Sequence, residues 1–300
     1  MRIVITGVTG QVGGALGKVL ASAGCVVPAG RDQLDLARPD EIGARLDRIR
    51  PDLIVNPAAY TAVDRAEDER ETAFRVNAEA PAAMARWSAR RGVPLVHFST
   101  DYVFDGVGER PWREDDAPNP LSAYGASKLA GDEAVRAAGG AHLIVRTSWV
   151  YAASGQNFLR TIVRLAKERK ELRIVADQVG APTSAQLIAE ALAAVVGTGG
   201  LPLTERFAAA GGTLNLAASG ETSWYGFAVA IVEGLKARGV PLAAEAVVPI
   251  ATKDYPTKAR RPANSRLDLT RLREVFEIAM PRWDQALAVE LDRLAGPHLH

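Results

Sequence analysis

Short apolar runs alternate with longer amphipathic stretches from the first residue onward. Short apolar runs are typical of strands buried on both faces, and longer stretches with helical periodicity are typical of crossover helices. The predicted strands are Arg2–Ile5, Cys25–Pro28, Leu53–Val55, Leu95–Phe98, Leu143–Val145 and Leu172–Val175. The predicted helices are Gln11–Ala21, Pro39–Ile49, Asp64–Arg90, Tyr124–Ala137 and Gln156–Lys167.

This alternation indicates an α/β fold, in which right-handed crossovers build a doubly wound, mostly parallel sheet of the Rossmann type. The rhythm weakens after residue 170. We therefore expect a dinucleotide-binding domain that carries the catalytic residues over residues 1–170, and a smaller substrate-binding lobe over residues 171–300. Leu214–Leu216 is the candidate segment for a return to the main sheet.

The composition narrows the class of protein. The 300 residues are 48% hydrophobic and carry a net charge of +1, so the chain can bury a core but has no single-sign field to hold a nucleic acid or an anionic membrane. One cysteine and the histidines His97, His142, His298 and His300 give no zinc-ligand spacing. No apolar run has membrane-spanning length, and no leader precedes the first strand. We expect a cytoplasmic protein without nucleic-acid or membrane partners.

Three glycines, Gly7, Gly10 and Gly13 in GVTGQVG, follow the first predicted strand. Glycines here permit a tight turn and close approach of the backbone to a pyrophosphate, and the N-terminus of the next helix attracts the anion. The spacing is G-x-x-G-x-x-G rather than the G-x-G-x-x-G of the usual fingerprint. Its position at the first strand–helix junction nevertheless favours dinucleotide binding.

The residues after the second strand bear on the choice of nicotinamide cofactor. Arg31 could pair with the 2′-phosphate of NADP, whereas Asp32 could accept a hydrogen bond from the free 2′-hydroxyl of NAD. Because the arginine would neutralise an acidic side chain at the same spot, we expect NADPH, with NADH as the alternative.

Tyr124 and Lys128 lie four residues apart in YGASK, and Thr100 stands at the end of the fourth predicted strand. Residues i and i+4 share one face of a helix, so the phenol and the ammonium can lie in one site. Lowering the pKa of a free phenol by about 3 units requires about 4 kcal/mol of preferential stabilisation of the phenolate. A nearby lysine and hydrogen-bond donors can supply it, and the hydroxyl of Thr100 could bind a substrate oxygen.

These motifs resemble those of the extended short-chain dehydrogenase/reductase family and, within it, the dTDP-4-dehydrorhamnose reductase family. The resemblance covers nearly the whole chain. It rests on GVTGQVG, VNPAAYTAVDRAE, STDYVFDG, YGASK, RTSWVY, DQVGAPT and RRPANSRLD.

The resemblance implies NADPH-dependent reduction of the C4 ketone of dTDP-4-dehydro-L-rhamnose, a nucleotide sugar, to dTDP-L-rhamnose. It implies that Tyr124 donates the proton, that Lys128 lowers the pKa of the phenol and holds the nicotinamide ribose, and that Thr100 binds the carbonyl oxygen. Asp101 and Trp149 match substrate-contacting positions. Besides the glycines, Tyr124 and Lys128, the implied cofactor positions are Gln11, Val12, Arg31, Asp35, Leu36, Ala59, Tyr60 and Thr61.

Some members of this family dimerise around a magnesium ion held by carboxylates. The corresponding positions here are Ala15 and Gln186, and neither supplies a charged oxygen ligand. We therefore expect no metal and either a monomer or a metal-independent homodimer. Arg260 or Arg261 in RRPANSRLD is a candidate for the diphosphate of the substrate, and a solvated basic loop is the alternative.

Two other functions stay open at this point. Sister enzymes on the same fold dehydrate or epimerise nucleotide sugars. A 4,6-dehydratase that resembles this chain would need a second acidic residue after Asp101, where this chain has Tyr102. The regulatory β subunit of methionine adenosyltransferase also resembles this family and acts as a binding partner. Such a module has no chemical need for the set Thr100, Tyr124 and Lys128.

Overall fold

The computed structural model describes residues 1–197 and 201–296. The end of the expected C-terminal lobe, with His298 and His300, lies outside the described residues. The strands are β1 (Arg2–Thr6), β2 (Cys25–Ala29), β3 (Leu53–Asn56), β4 (Leu95–Thr100), β5 (His142–Thr147), β6 (Val150–Tyr151), β7 (Glu171–Val175), β8 (Val179–Gly180), β9 (Thr183–Ser184), β10 (Gly212–Asn215), β11 (Thr222–Ser223) and β12 (Ala246–Ile250).

Helices connect these strands. They are α1 (Gln11–Val19), α2 (Pro39–Ile49), α3 (Arg70–Phe74), α4 (Ala80–Arg91), α5 (Ala123–Ala137), α6 (Phe158–Glu168), α7 (Ala185–Gly197), α8 (Leu203–Ala210), α9 (Trp224–Ala237), α10 (Thr270–Phe276) and α11 (Trp283–Ala295). A π-helical turn (Arg75–Glu79) joins α3 to α4, and short 3₁₀ turns occupy Leu20–Ser22, Arg65–Glu67, Asp101–Val103 and Thr252–Asp254.

The central sheet has six parallel strands in the order β10–β5–β4–β3–β1–β2. Apolar side chains of its strands pack on one side against α1 and α7, and on the other against α2, α4 and α5. The sheet is therefore covered on both faces, which confirms the predicted doubly wound α/β fold.

The predicted sixth strand, Leu172–Val175, does form as β7, but its expected place in the main sheet is wrong. It pairs in parallel with β12 in a separate two-stranded sheet. The sixth place in the central sheet belongs to β10, which pairs with β5 and includes Leu214, so the candidate return segment is confirmed.

A second apolar core lies outside the central sheet. It is formed by α6, α9 and α11 together with β7, and includes Ile162, Phe227, Ile231 and Leu287. Because α6 precedes residue 170 and contributes to this core, the division of the chain at residue 170 stays a prediction. No helix within residues 1–197 and 201–296 is long and apolar enough to cross a membrane.

Candidate active site

The glycine turn is closely packed against the helix that follows it. Gly7 has a φ of +57°, which favours glycine, and a Cβ on Gly13 would lie 2.2 Å from the carbonyl oxygen of Gly7. No side chain of the described residues caps α1 at Gly10, so the first N–H groups of the helix face the turn. A backbone cradle of this kind, at the positive end of a helix, fits the pyrophosphate of a dinucleotide.

The other expected cofactor residues lie around this turn in different surroundings. The side chain of Gln11 accepts a hydrogen bond from Asn157 Nδ2 at 2.9 Å, and Val12 packs against the core. Tyr60 donates from its hydroxyl to Glu69 at 2.7 Å. Ala59, Tyr60 and Thr61 lie in the segment after β3, which ends at Asn56, on the same edge of the sheet as the glycine turn.

The turn after β2 carries the residues expected at the ribose. Arg31 and Asp32 are both exposed there. Asp35 accepts a hydrogen bond from the backbone N–H of Ala37 at 2.9 Å, and Leu36 is buried in the core against α2. The structure thus gives Asp35 and Leu36 clear local roles, and their cofactor roles stay predictions.

Thr100 lies at the end of β4, and Tyr124 and Lys128 lie in the first two turns of α5. Thr100 is the last residue of β4, and α5 starts after Ser122, whose hydroxyl accepts a hydrogen bond from the N–H of Gly125 at 3.1 Å. This cap fixes the first turn of α5, which carries Tyr124. Lys128 lies one turn further along and is buried, with Nζ 2.6 Å from the carbonyl oxygen of Phe98.

The electrostatics of these groups follow from burial. Burial raises the pKa of Tyr124, a hydrogen bond from Thr100 opposes this rise, and the charges of Asp101 and Asp132 add to it. Burial lowers the pKa of Lys128 to about 8, against the opposing charge of Asp132. The sequence predicts a lowered pKa for Tyr124. The structure corrects that direction, because the cost of removing a phenolate from water exceeds the stabilisation that its neighbours provide.

Asp101 is a second titratable group beside Thr100. Its Oδ1 accepts a hydrogen bond from the Thr100 hydroxyl at 3.1 Å. Burial raises the pKa of Asp101 to about 6, and hydrogen bonds from Ser265 and Thr100 oppose the rise. Near neutral pH this carboxyl therefore sits close to its own titration point.

Trp149 directly precedes β6 and contacts Trp224, which packs against the second core. Its φ is +49°, and its ring stacks on that of Trp224 with centroids 3.6 Å apart. Trp224 also lines a cavity of about 580 Å³, whose apolar wall includes Phe158, Leu172 and Ile174. Trp149 is thus packed against a residue that lines this cavity, and contact with substrate stays a prediction.

Arg261 lies between this cavity and Tyr102, a neighbour of Tyr124. It lines the cavity and donates to Asp64 at 2.7 Å. Its charge acts on Tyr102, whose ring meets that of Tyr124 edge-on with centroids 5.5 Å apart. Arg260, the other candidate, is exposed.

Sequence reasoning missed two sets of polar residues beneath the site. Asn77, in the π-helical turn, accepts from the N–H of Tyr60 at 2.7 Å and donates to its carbonyl oxygen and to the hydroxyl of Ser127, each at 3.0 Å. It thereby ties the cofactor segment after β3 to α5. Asn56 and His97, on β3 and β4, form the second set. A polar residue inside an otherwise apolar strand was the available signal.

The two positions expected to lack metal ligands also have local partners. Ala15, on α1, packs against the first core, and the side chain of Gln186 donates a hydrogen bond to Glu190 at 2.7 Å. Among the described residues, no cluster of histidine, cysteine, aspartate or glutamate could hold a metal ion. Whether the protein works without a metal stays a prediction.

The fold defines the class of the protein as a doubly wound α/β protein of the Rossmann type. A family model described as the RmlD substrate binding domain matches residues 1–295. The chain is 48% identical over 293 residues to the dTDP-4-dehydrorhamnose reductase of Burkholderia thailandensis, covering 96% of this chain and 97% of the relative. It is 42% identical to the same-named protein of Escherichia coli K12, covering 98% of both chains.

A solved structure supports the same assignment. The dTDP-4-dehydrorhamnose reductase of Bacillus anthracis in complex with NADP superposes with a TM-score of 0.88 at 33% identity, covering 97% of this chain and 99% of that one. The chain belongs to the RmlD substrate binding domain family.

Proposed function

We propose that this protein is an NADPH-dependent oxidoreductase that reduces the C4 ketone of dTDP-4-dehydro-L-rhamnose to give dTDP-L-rhamnose, with Tyr124 as the proton donor. The observation that supports the proposal is that Thr100 ends β4, that Tyr124 and Lys128 lie one turn apart on α5, and that Lys128 donates to the carbonyl oxygen of Phe98 in β4. The similarity to named reductases over nearly the full length supports the substrate class.

NADPH, when bound, supplies the hydride. The turn from Gly7 to Gly13 and the N-terminus of α1 hold its pyrophosphate, because unpaired N–H groups and the helix dipole favour an anion there. Arg31 holds the 2′-phosphate, and Lys128 the nicotinamide ribose. A kcat/KM for NADH above that for NADPH would count against this role of Arg31.

Tyr124 transfers a proton from its hydroxyl to the ketone oxygen. Its raised pKa keeps the phenol protonated at neutral pH, which is the form a proton donor must have. Thr100 holds the same oxygen by donating its one hydroxyl hydrogen to it. In this structure that hydrogen is donated to Asp101 Oδ1, so the Thr100 hydroxyl turns it from Asp101 to the ketone oxygen when the substrate binds.

The cavity beside Trp224 accommodates the nucleotide part of the substrate. Its volume of about 580 Å³ lies in the range of small-molecule sites, and its apolar wall suits a base and a deoxyribose. Arg261 stands at the boundary between this cavity and Tyr102, where it meets the diphosphate. Trp149, stacked on Trp224, contacts the sugar.

The remaining properties follow from the charge balance and the donor set. The protein acts in the cytoplasm on a small nucleotide sugar, without nucleic-acid or membrane partners. It is a monomer or a metal-independent homodimer, because neither Ala15 nor Gln186 supplies the charged oxygen ligand that a hard cation prefers.

Replacement of Tyr124 tests the proton donor. Tyr124→Phe should lower kcat by about 10²-fold or more while changing the Kd for NADPH much less, since the lost interaction belongs to proton transfer. The control is Tyr151→Phe, which removes a buried hydroxyl in the second core that has no hydrogen-bond partner among the described residues. Turnover in Tyr124→Phe close to that of the unmodified protein would refute the assignment.

A further inference from the structure

A row of hydrogen-bonded polar side chains crosses the central sheet beneath the site. The hydroxyl of Thr6 donates to Asn56 Oδ1 at 2.6 Å, and Asn56 Nδ2 lies 3.1 Å from His97 Nδ1. The other ring nitrogen, Nε2, lies 3.2 Å from Nζ of Lys128. We call these four residues the polar row.

The polar row is built into the buried part of the sheet. Asn56 and His97 face each other across β3 and β4, and all four members are at most 2% exposed. Buried polar groups cost free energy unless they are hydrogen-bonded, so apolar residues would be the simpler choice in these strands. Both ring nitrogens of His97 are in use, and the row ends on the amine of Lys128.

We propose that His97, oriented by Asn56, is a positioning residue that holds the amine of Lys128 in place in both of its charge states, and that the polar row reverses its hydrogen-bond direction when the amine gains or loses a proton. The inference rests on the proposed function, in which Lys128 is the catalytic lysine.

The two directions follow from the donor inventory. A charged amine has only donors, so Nε2 of His97 must accept, Nδ1 must carry the ring hydrogen, and Asn56 must present its amide oxygen to it. With the amide nitrogen toward His97, as in this structure, Nε2 carries the hydrogen and the neutral amine of Lys128 accepts. A half-turn of the Asn56 amide exchanges the two arrangements, and the Thr6 hydroxyl serves as donor in one and acceptor in the other.

The charged groups around the row permit both states. Asp132 Oδ1 lies 3.9 Å from His97 Nε2, and Arg146 Nε lies 3.6 Å from the other carboxylate oxygen. The Asp132 charge favours the charged form of Lys128, and burial disfavours it, which leaves the pKa of Lys128 at about 8. Burial and the Lys128 charge lower the pKa of His97, so the imidazole stays neutral and its tautomer is free to report on the amine.

Nitrogen NMR of the unmodified protein labelled with ¹⁵N-histidine tests the reversal without any assay of activity. We expect the His97 ring to change from the Nδ1–H tautomer to the Nε2–H tautomer as the pH rises through about 8, where Lys128 loses its proton. His97→Gln identifies the resonances. A single tautomer throughout, or an imidazolium signal, would overturn the reversal.

Two carboxamide variants test the positioning role. In His97→Asn the amide takes the place of Nδ1, so it keeps the hydrogen bond to Asn56 and loses the one to Lys128. In His97→Gln the amide takes the place of Nε2 and can either accept from or donate to the amine of Lys128. We expect kcat to fall at least about tenfold in His97→Asn and to recover to within about threefold in His97→Gln.

The pH profile separates positioning from a structural role. In His97→Asn the charged amine loses one of its acceptors and keeps the carbonyl oxygen of Phe98. The basic limb of kcat in this variant should therefore move about one unit to lower pH, while that of His97→Gln stays near its original position. Equal kcat values and unshifted limbs in both folded variants would contradict the proposal. Failure of the proposed function would instead appear as absent turnover of the ketone in the unmodified protein, with the tautomer change intact.

Discussion

At the scale of single residues, burial decides the charge of the carboxyl group beside Thr100. The pKa of Asp101 in the folded protein is about 6, against about 3.9 for an unperturbed aspartate. Between these values the folded state binds more protons than the unfolded chain. The contribution of Asp101 therefore favours folding below about pH 4 and is lost as the pH rises through about 6.

Asp101→Asn should remove this pH dependence. The unfolding free energy of the variant minus that of the unmodified protein should increase by up to about 3 kcal/mol from pH 4 to pH 8. A pKa shift of two units corresponds to that energy. Urea unfolding at both pH values measures the difference. Asp115→Asn, which changes an exposed carboxyl, is the control and should show no such gain. A decrease in this difference from pH 4 to pH 8 would contradict the conclusion that burial raises the pKa of Asp101.

The residue scale is also where prediction from sequence was most uneven. Glycine spacing and the Tyr124–Lys128 pair can be identified along the chain, because both depend on residues close in sequence. The contacts of Asn56 with His97, and of Asn77 with Tyr60, depend on strand register and on an irregular helical turn. The direction of the Tyr124 pKa also needs burial, which a sequence pattern does not provide.

At the scale of elements, helix α1 carries two glycines one turn apart with opposite surroundings. A Cβ at position 13 would lie 2.2 Å from the Gly7 carbonyl oxygen, whereas a Cβ at position 17 would have nothing within 4 Å in the described structure. The first glycine fixes the spacing between helix and turn, and the second does not.

Alanine at each position tests whether this spacing matters for cofactor binding. Gly13→Ala should raise the Kd for NADPH at least about tenfold, because the turn must move away from the helix to admit the methyl group. Gly17→Ala should leave the Kd unchanged and add about 0.5–1 kcal/mol of stability, since alanine is the better helix former. Fluorescence titration with NADPH measures both. Equal affinities in the two variants would argue against the cradle.

The predicted helix Asp64–Arg90 shows where periodicity fails at this scale. The structure divides it into a 3₁₀ turn, α3, the π-helical turn and α4. Pro81 has no N–H to donate to the carbonyl oxygen of Asn77, so a regular helix cannot continue through this point. A Cβ on Gly131 of α5 would lie 2.1 Å from the carbonyl oxygen of Asn77. Glycine at this position therefore lets α5 pack closely against the π-helical turn.

At the scale of the whole molecule, the fold class could be predicted, and the sheet membership only in part. Each of the first five strands has its own apolar run and its own crossover helix. The sixth place was ambiguous, because β7 and β10 are both short strands that mix polar and apolar residues, and pairing between distant strands leaves no local signal.

Assembly gives a prediction at the same scale. Because Ala15 and Gln186 offer no charged oxygen ligand, chelation should not change the association state. Sedimentation velocity with and without EDTA should give the same coefficient, and added Mg²⁺ should not change it. Loss of a dimer on chelation would show that other residues hold a metal.

The most direct test of the account follows the cofactor and the sugar together. Purified protein given NADPH and dTDP-4-dehydro-L-rhamnose should oxidise one NADPH for each dTDP-L-rhamnose formed, because net reduction consumes the hydride. Conversion of the sugar with unchanged NADPH absorbance would indicate an epimerase or dehydratase. No conversion, together with a stable protein partner, would indicate a binding module. Either of these results would contradict the proposed reductase.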